Sequence, residues 1–111
     1  MSRRIRRNTP CGEMALEARR RVYQQVVERD GGKCQSCGGP GQEVHEICSR
    51  WMFSSRTMAS CMVLRNMVCL CRKCHAEAAT RERRTAMLLR LARLHGYDYS
   101  DPPWNEYVEA Q

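Results

Sequence analysis

Two C-x2-C pairs constrain this chain more than any other feature: Cys34-Gln35-Ser36-Cys37 and Cys71-Arg72-Lys73-Cys74, with 33 residues between them. Two thiolates on one tight turn can face one ion, and two such turns close a tetrahedral four-thiolate site of the kind that holds structural zinc. Four thiolates leave no position for water, so this Zn2+ is expected to hold the fold together and to do no chemistry. The dependence is plausible on size alone. A chain of 111 residues with 42% apolar residues buries too little to form the core of a large enzyme, and metal binding then supplies folding free energy.

The remaining cysteines, Cys11, Cys48, Cys61 and Cys69, follow no ligand spacing and are expected as buried thiols, with Cys48 and Cys61 placed to bracket a long loop. In a secreted protein eight cysteines would suggest disulfides. Here Ser2-Arg3-Arg4-Ile5-Arg6-Arg7 lacks the apolar stretch of a signal peptide, and no run approaches the roughly 20 apolar residues of a membrane span. The expectation is a cytoplasmic, reducing location.

Nineteen Lys and Arg against twelve Asp and Glu leave a net charge of +7, and the pI is near 9.2. All but Lys33 and Lys73 of those cations are Arg, whose planar fork grips phosphate with two hydrogen bonds, so a polyanionic partner is expected. Aromatic residues reach only 6%, which argues against an aromatic platform for single strands.

Along the chain, residues 1–12 read as a basic flexible arm in which Arg3, Arg4, Arg6 and Arg7 are candidate phosphate contacts. Residues 13–29 read as a helix with Leu16, Tyr23 and Val27 on one face and Val26 beside it, stopped by Asp30-Gly31-Gly32. Residues 43–47 and 67–70 read as short strands. The loop between them, 48–64, is too long to be idle in so small a domain; Arg50 and Arg56 are candidate DNA contacts, and Trp51 and Phe53 are expected as loop anchors in preference to base wedges. A single helix is expected from Arg72 to about His95, ended by Gly96. Its Met87, Leu88, Leu91 and Leu94 form a core stripe, and its Arg83, Arg90 and Arg93 form a row that is either solvated or a phosphate track. His95 reads as a helix-end residue favoured by the dipole. Residues 98–111 form an acidic tail in which Pro102-Pro103 excludes helix.

Three stretches carry a resemblance: Arg29-Asp30-Gly31-Gly32-Lys33-Cys34-Gln35-Ser36-Cys37-Gly38, Val44-His45-Glu46-Ile47, and Asn66-Met67-Val68-Cys69-Leu70-Cys71-Arg72-Lys73-Cys74-His75. The last is the most specific, an N-x4-C-x2-C-H pattern. In these stretches the chain resembles the HNH endonuclease family, whose stand-alone members are common in phage and bacterial genomes. The resemblance implies an α+β fold: a small zinc-stapled ββα-metal, treble-clef-like domain over residues 13–97, flanked by an N-terminal and a long C-terminal helix. It implies metal-dependent hydrolysis of phosphodiester bonds in double-stranded DNA, with Mg2+, Mn2+ or another divalent ion as the catalytic metal. His45 and His75 would be ligands of that metal, and Asn66 would hold the site's geometry by hydrogen bonding. DNA-packaging machinery is an implied protein partner.

The sequence departs from the family at Glu46, where a His general base is usual. A free Glu titrates near 4.3 against about 6.5 for His, so it is ionised but weakly basic. Three assignments follow: Glu46 is the base or assists it, His45 is the base with the metal held otherwise, or the site is degraded; the first, with His45 and His75 on the metal, is the favoured one. Strand parity sets His45 and Glu46 on opposite faces, so both serve one site only if the strand bends. The alternative functions are a non-catalytic zinc-stapled DNA binder and an adaptor whose acidic tail engages a protein.

Overall fold

In the computed structural model, which describes residues 16–56 and 58–108, the first helix, α1, spans Leu16–Arg29. Its rotation differs from the expected one. Leu16, Tyr23 and Val27 are 53%, 40% and 37% exposed, whereas Val26 is fully buried and Val22 packs beside it. Arg29 sets that rotation: its guanidinium donates to the carbonyls of Leu64 (2.7 Å) and Met67 (2.6 Å) and pairs with Asp30 (2.8 Å). Val22, Val26 and Arg29 lie one turn apart, so docking Arg29 turns that stripe inward and leaves the more apolar one in solvent. Asp30 Oδ2 accepts from the Cys69 amide at 2.9 Å, tying the helix end to the sheet. Gly31 and Gly32 then leave the helix at φ 67° and 68°, as their sequence predicts.

Strands β1 (Glu43–Glu46) and β2 (Met67–Leu70) pair antiparallel, with Glu43 opposite Leu70, Val44 opposite Cys69, His45 opposite Val68 and Glu46 opposite Met67. Every residue of β2 is buried. Gly41 admits the first cysteine turn to this hairpin: a Cβ there would stand 2.6 Å from Cys69 Sγ and 3.0 Å from the Cys34 nitrogen.

The segment between the strands carries local structure in its described residues. It holds a 3-10 turn (Arg50–Met52), a short helix α2 (Met58–Cys61) and a second 3-10 turn (Leu64–Asn66). Phe53 is buried against Trp104, with ring centroids 5.3 Å apart, and anchors the loop as expected. Trp51 does not; it is 68% exposed.

The expected single helix over 72–95 is two, α3 (Arg72–Ala76) and α4 (Arg81–His95). Thr80 makes the break, because its hydroxyl accepts from the Arg83 amide at 3.2 Å and starts a new helix. Met87, Leu88 and Leu91 are buried as predicted, but Leu94 is 51% exposed, beyond the edge of the core. Gly96 caps α4 at φ 72° after the basic last turn that carries His95.

Residues 98–108 are not a separate appendage. Tyr99 and Trp104 are 4% exposed and belong to the same core as Leu88 and Leu91, and Trp104–Glu106 form a 3-10 turn directly after the two prolines. The fold is therefore α+β, four helices and one two-stranded sheet among the described residues. No described helix is long and apolar enough to cross a membrane.

Candidate metal centres and the basic surface around them

The sulfurs of Cys34, Cys37, Cys71 and Cys74 all lie within 4.8 Å of one another, the one group of three or more potential metal ligands so placed among the described residues. Four sulfurs at about 2.3 Å from one tetrahedral ion must stand about 3.8 Å apart. Cys37 Sγ and Cys71 Sγ are 3.9 Å apart. Local turns prepare this spacing. The Cys37 amide donates to Cys34 Sγ and the Cys74 amide to Cys71 Sγ, each at 3.4 Å, and Cys71 is the N-cap of α3. Burial opposes ionisation of Cys34, but the amides of Cys37, Cys71 and Ser36 outweigh it and hold the thiol down to about 6. The hydrogen bond to Cys71 leads the interactions that push Cys74 up to about 12. Sulfurs this close share protons unless a cation replaces them, which is the donor chemistry of a structural zinc.

The other cysteines within the described residues behave as inert thiols: burial pushes Cys48 up to about 11 and Cys61 to about 12, and raises Cys69. Cys48 and Cys61 do bracket the long loop, and Asn66 joins them. Fully buried, Asn66 accepts through Oδ1 from the Cys48 amide (3.0 Å) and the Trp104 indole (2.9 Å). Its Nδ2 donates to the carbonyls of Cys48 (2.9 Å) and Cys61 (2.8 Å). The bonding reach of Asn66 is thus spent on the loop and the C-terminal segment.

The hairpin and α3 bring His45 and His75 together, with ring centroids 4.9 Å apart and planes at 63°. Glu43, two residues before His45 and on the same face of β1, joins them: its Oε1 lies 2.5 Å from His75 Nδ1, while Arg72 donates to its Oε2 at 3.3 Å. The His75 hydrogen bond, with Arg72 adding to it, holds the Glu43 carboxyl below the usual carboxylate range. A carboxylate on Nδ1 orients the ring and leaves Nε2 as its free donor atom. Burial, helped by the charges of His75 and Arg84, pushes His45 down to about 4, so it is neutral at pH 7. Its Nε2 is buried without a hydrogen-bond partner. A buried orphan nitrogen beside a second imidazole, itself oriented by a carboxylate, is a donor set that would suit a divalent cation.

Glu46 is not part of this cluster. Strand parity carries its carboxylate to the other face, where it accepts from the Cys61 thiol at 3.5 Å. The sequence reading also passed over Glu43 and Arg84. The i, i+2 spacing of Glu43 and His45 on a strand was a usable signal for the first. Arg84, whose Nε donates to the Ile47 carbonyl at 3.1 Å, reaches the site only through the packing of α4.

The arginine row on α4 faces the first cysteine turn. A groove of about 260 Å3 is lined by Gln35, Ser36, Arg83, Met87, Arg90 and Arg93. Gln35 Oε1 accepts from Arg90 Nε at 3.1 Å and Ser36 Oγ from Arg83 at 3.3 Å, so residues between two cysteines of the four-sulfur cluster aim the guanidiniums. Arg50 and Arg56 are exposed beside Trp51, and Arg3, Arg4, Arg6 and Arg7 lie outside the described residues. Comparison of the chain with protein-family models, curated proteins and solved structures finds no match.

Proposed function

We propose that this protein is a metal-dependent endonuclease of the HNH type, hydrolysing phosphodiester bonds in DNA. The observation that carries the reading is the neutral, buried and unpartnered His45 Nε2 beside His75, whose ring Glu43 holds. His45 and His75 hold the catalytic cation and Glu43 is a positioning residue for His75. When bound, a divalent cation supplies Lewis-acid neutralisation of the phosphate and of the departing oxygen, and makes an attacking water more acidic. The arginines of the α4 groove bind and orient the DNA backbone by charge, independently of sequence.

One observation favours a second reading, a zinc-stapled DNA binder without chemistry. Glu46, at the family's base position, turns toward Cys61 and away from both histidines. A nicking assay on supercoiled plasmid across Mg2+, Mn2+, Ni2+ and Zn2+ separates the two. Cleavage that His75→Ala and His45→Ala abolish, with zinc content retained, supports the nuclease. In a cleaving protein, a strong loss in Glu46→Ala makes Glu46 the base, and an unchanged rate leaves proton transfer to His45 or to solvent. DNA binding without cleavage in any metal moves the assignment to the binder.

A further inference from the structure

Most of the loop's large apolar side chains are used to hold it down. Phe53 is buried on Trp104, and the Tyr107 hydroxyl reaches Met52 Sδ at 3.8 Å. Trp51, immediately before these two anchors in sequence, is the exception among the described residues at 68% exposed. It stands in a 3-10 turn whose backbone closes with the Phe53 amide donating to the Arg50 carbonyl at 3.1 Å, so a fixed support presents it. Trp51 lines two hollows of about 540 and 300 Å3, which also share Met52 and Arg56. Arg56 has φ 53°, a left-handed conformation disfavoured for a residue with a Cβ. Arg50 and Arg56 are both exposed; no carboxylate lines the larger hollow, where Arg56 stands, and Glu106 lines only the smaller.

We propose that Trp51 is a base-stacking wedge: its indole, presented by the anchored turn between Arg50 and Arg56, stacks on an unpaired nucleobase while those arginines hold the adjoining phosphates. A flat apolar ring flanked by cations matches the two faces of a nucleotide, an apolar base and an anionic backbone. The wedge stands six residues beyond His45, a chain distance of at most about 20 Å. A base held there lies within a few nucleotides of the histidine pair. The inference deepens the nuclease reading and rests on it for its setting; it assigns the enzyme to DNA carrying an unpaired base, as in a bulge, a frayed end or a single strand, ahead of uninterrupted duplex.

The full-length, zinc-loaded protein is titrated, without divalent metal beyond its zinc, with a blunt duplex, the same duplex bearing one bulged base, and the single strand. Trp51 and the buried Trp104 are the only tryptophans, so indole fluorescence reports on the wedge and Trp51→Phe identifies the signal. The bulged duplex and the single strand quench emission and bind more tightly than the blunt duplex. Trp51→Ala weakens their binding by about five- to a hundred-fold, the range expected for one stacked base, and Trp51→Phe restores part of it. Unchanged preference for bulged over blunt duplex in Trp51→Ala overturns the proposal and leaves the indole to a protein partner. Quenching without cleavage in any metal keeps the wedge and removes the nuclease, whereas cleavage with no Trp51 effect does the reverse.

Discussion

Asn66 offers the sharpest test of how this fold is held, because a family resemblance points to the residue and the structure assigns its four hydrogen bonds. Replacing it with Ala strands two donors, the Cys48 amide and the Trp104 indole, and one acceptor, the Cys48 carbonyl, and takes a bond from the Cys61 carbonyl. Each buried group left without a partner costs about 1 to 3 kcal/mol. Even the lower figure for the three stranded groups comes to about 3 kcal/mol, a large part of the roughly 5 to 15 kcal/mol that holds a small domain. Asn66→Asp separates hydrogen bonding from volume, since it is nearly isosteric. It keeps an acceptor for the amide and the indole but directs a second oxygen at two carbonyls. That carboxyl is stabilised as the protonated acid, so its folded pKa lies above its unfolded value near 3.9 and the penalty relative to the parent grows as pH rises. Urea unfolding of the zinc-loaded proteins at fixed zinc measures both. A loss below about 1 kcal/mol in Asn66→Ala, or an Asn66→Asp penalty independent of pH, would refute the reasoning.

Other consequences are open to direct measurement. The purified protein holds one zinc per chain, and changing any of Cys34, Cys37, Cys71 or Cys74 to Ser loses it and unfolds the domain; an unchanged circular dichroism spectrum after chelation would sink the assignment. The His45 ring, with a folded pKa near 4 against about 6.5 when unfolded, binds its proton later than the unfolded chain does. It therefore contributes stability that is present above about pH 6.5 and is lost as pH falls toward 4, up to about 3 kcal/mol; an NMR titration of the metal-free ring with its midpoint near 6.5 would contradict this. Changing Arg83, Arg90 and Arg93 to Ala flattens the salt dependence of DNA binding by up to about 0.9 in log-log slope per arginine, and an unaltered slope would show that the groove carries no phosphate.

The sequence by itself determined the features that depend on local spacing. The two C-x2-C turns, the Gly31-Gly32 stop, the two short strands and the Gly96 cap each follow from chemistry within a few residues, and each stands where it was read. The same strand period turns Glu46, expected as the base, away from His45 and toward Cys61. Packing decided the rest. Which stripe of α1 turns inward depended on Arg29 finding the carbonyls of Leu64 and Met67, 35 and 38 residues away, an outcome that apolar periodicity alone does not contain. The acidic C-terminal segment read as a tail because its charges are visible in sequence, while the indole of Trp104 reaching Asn66 is not. The same contact explains the loop: Trp104 supplies a buried surface for Phe53, and the neighbouring Trp51 is left in solvent. Glu43, His45 and His75 share one corner for a related reason. The hairpin register and the start of α3 are set by the cysteine turns on either side, so the zinc-site geometry that the spacing announces also places side chains whose own sequence signal is faint.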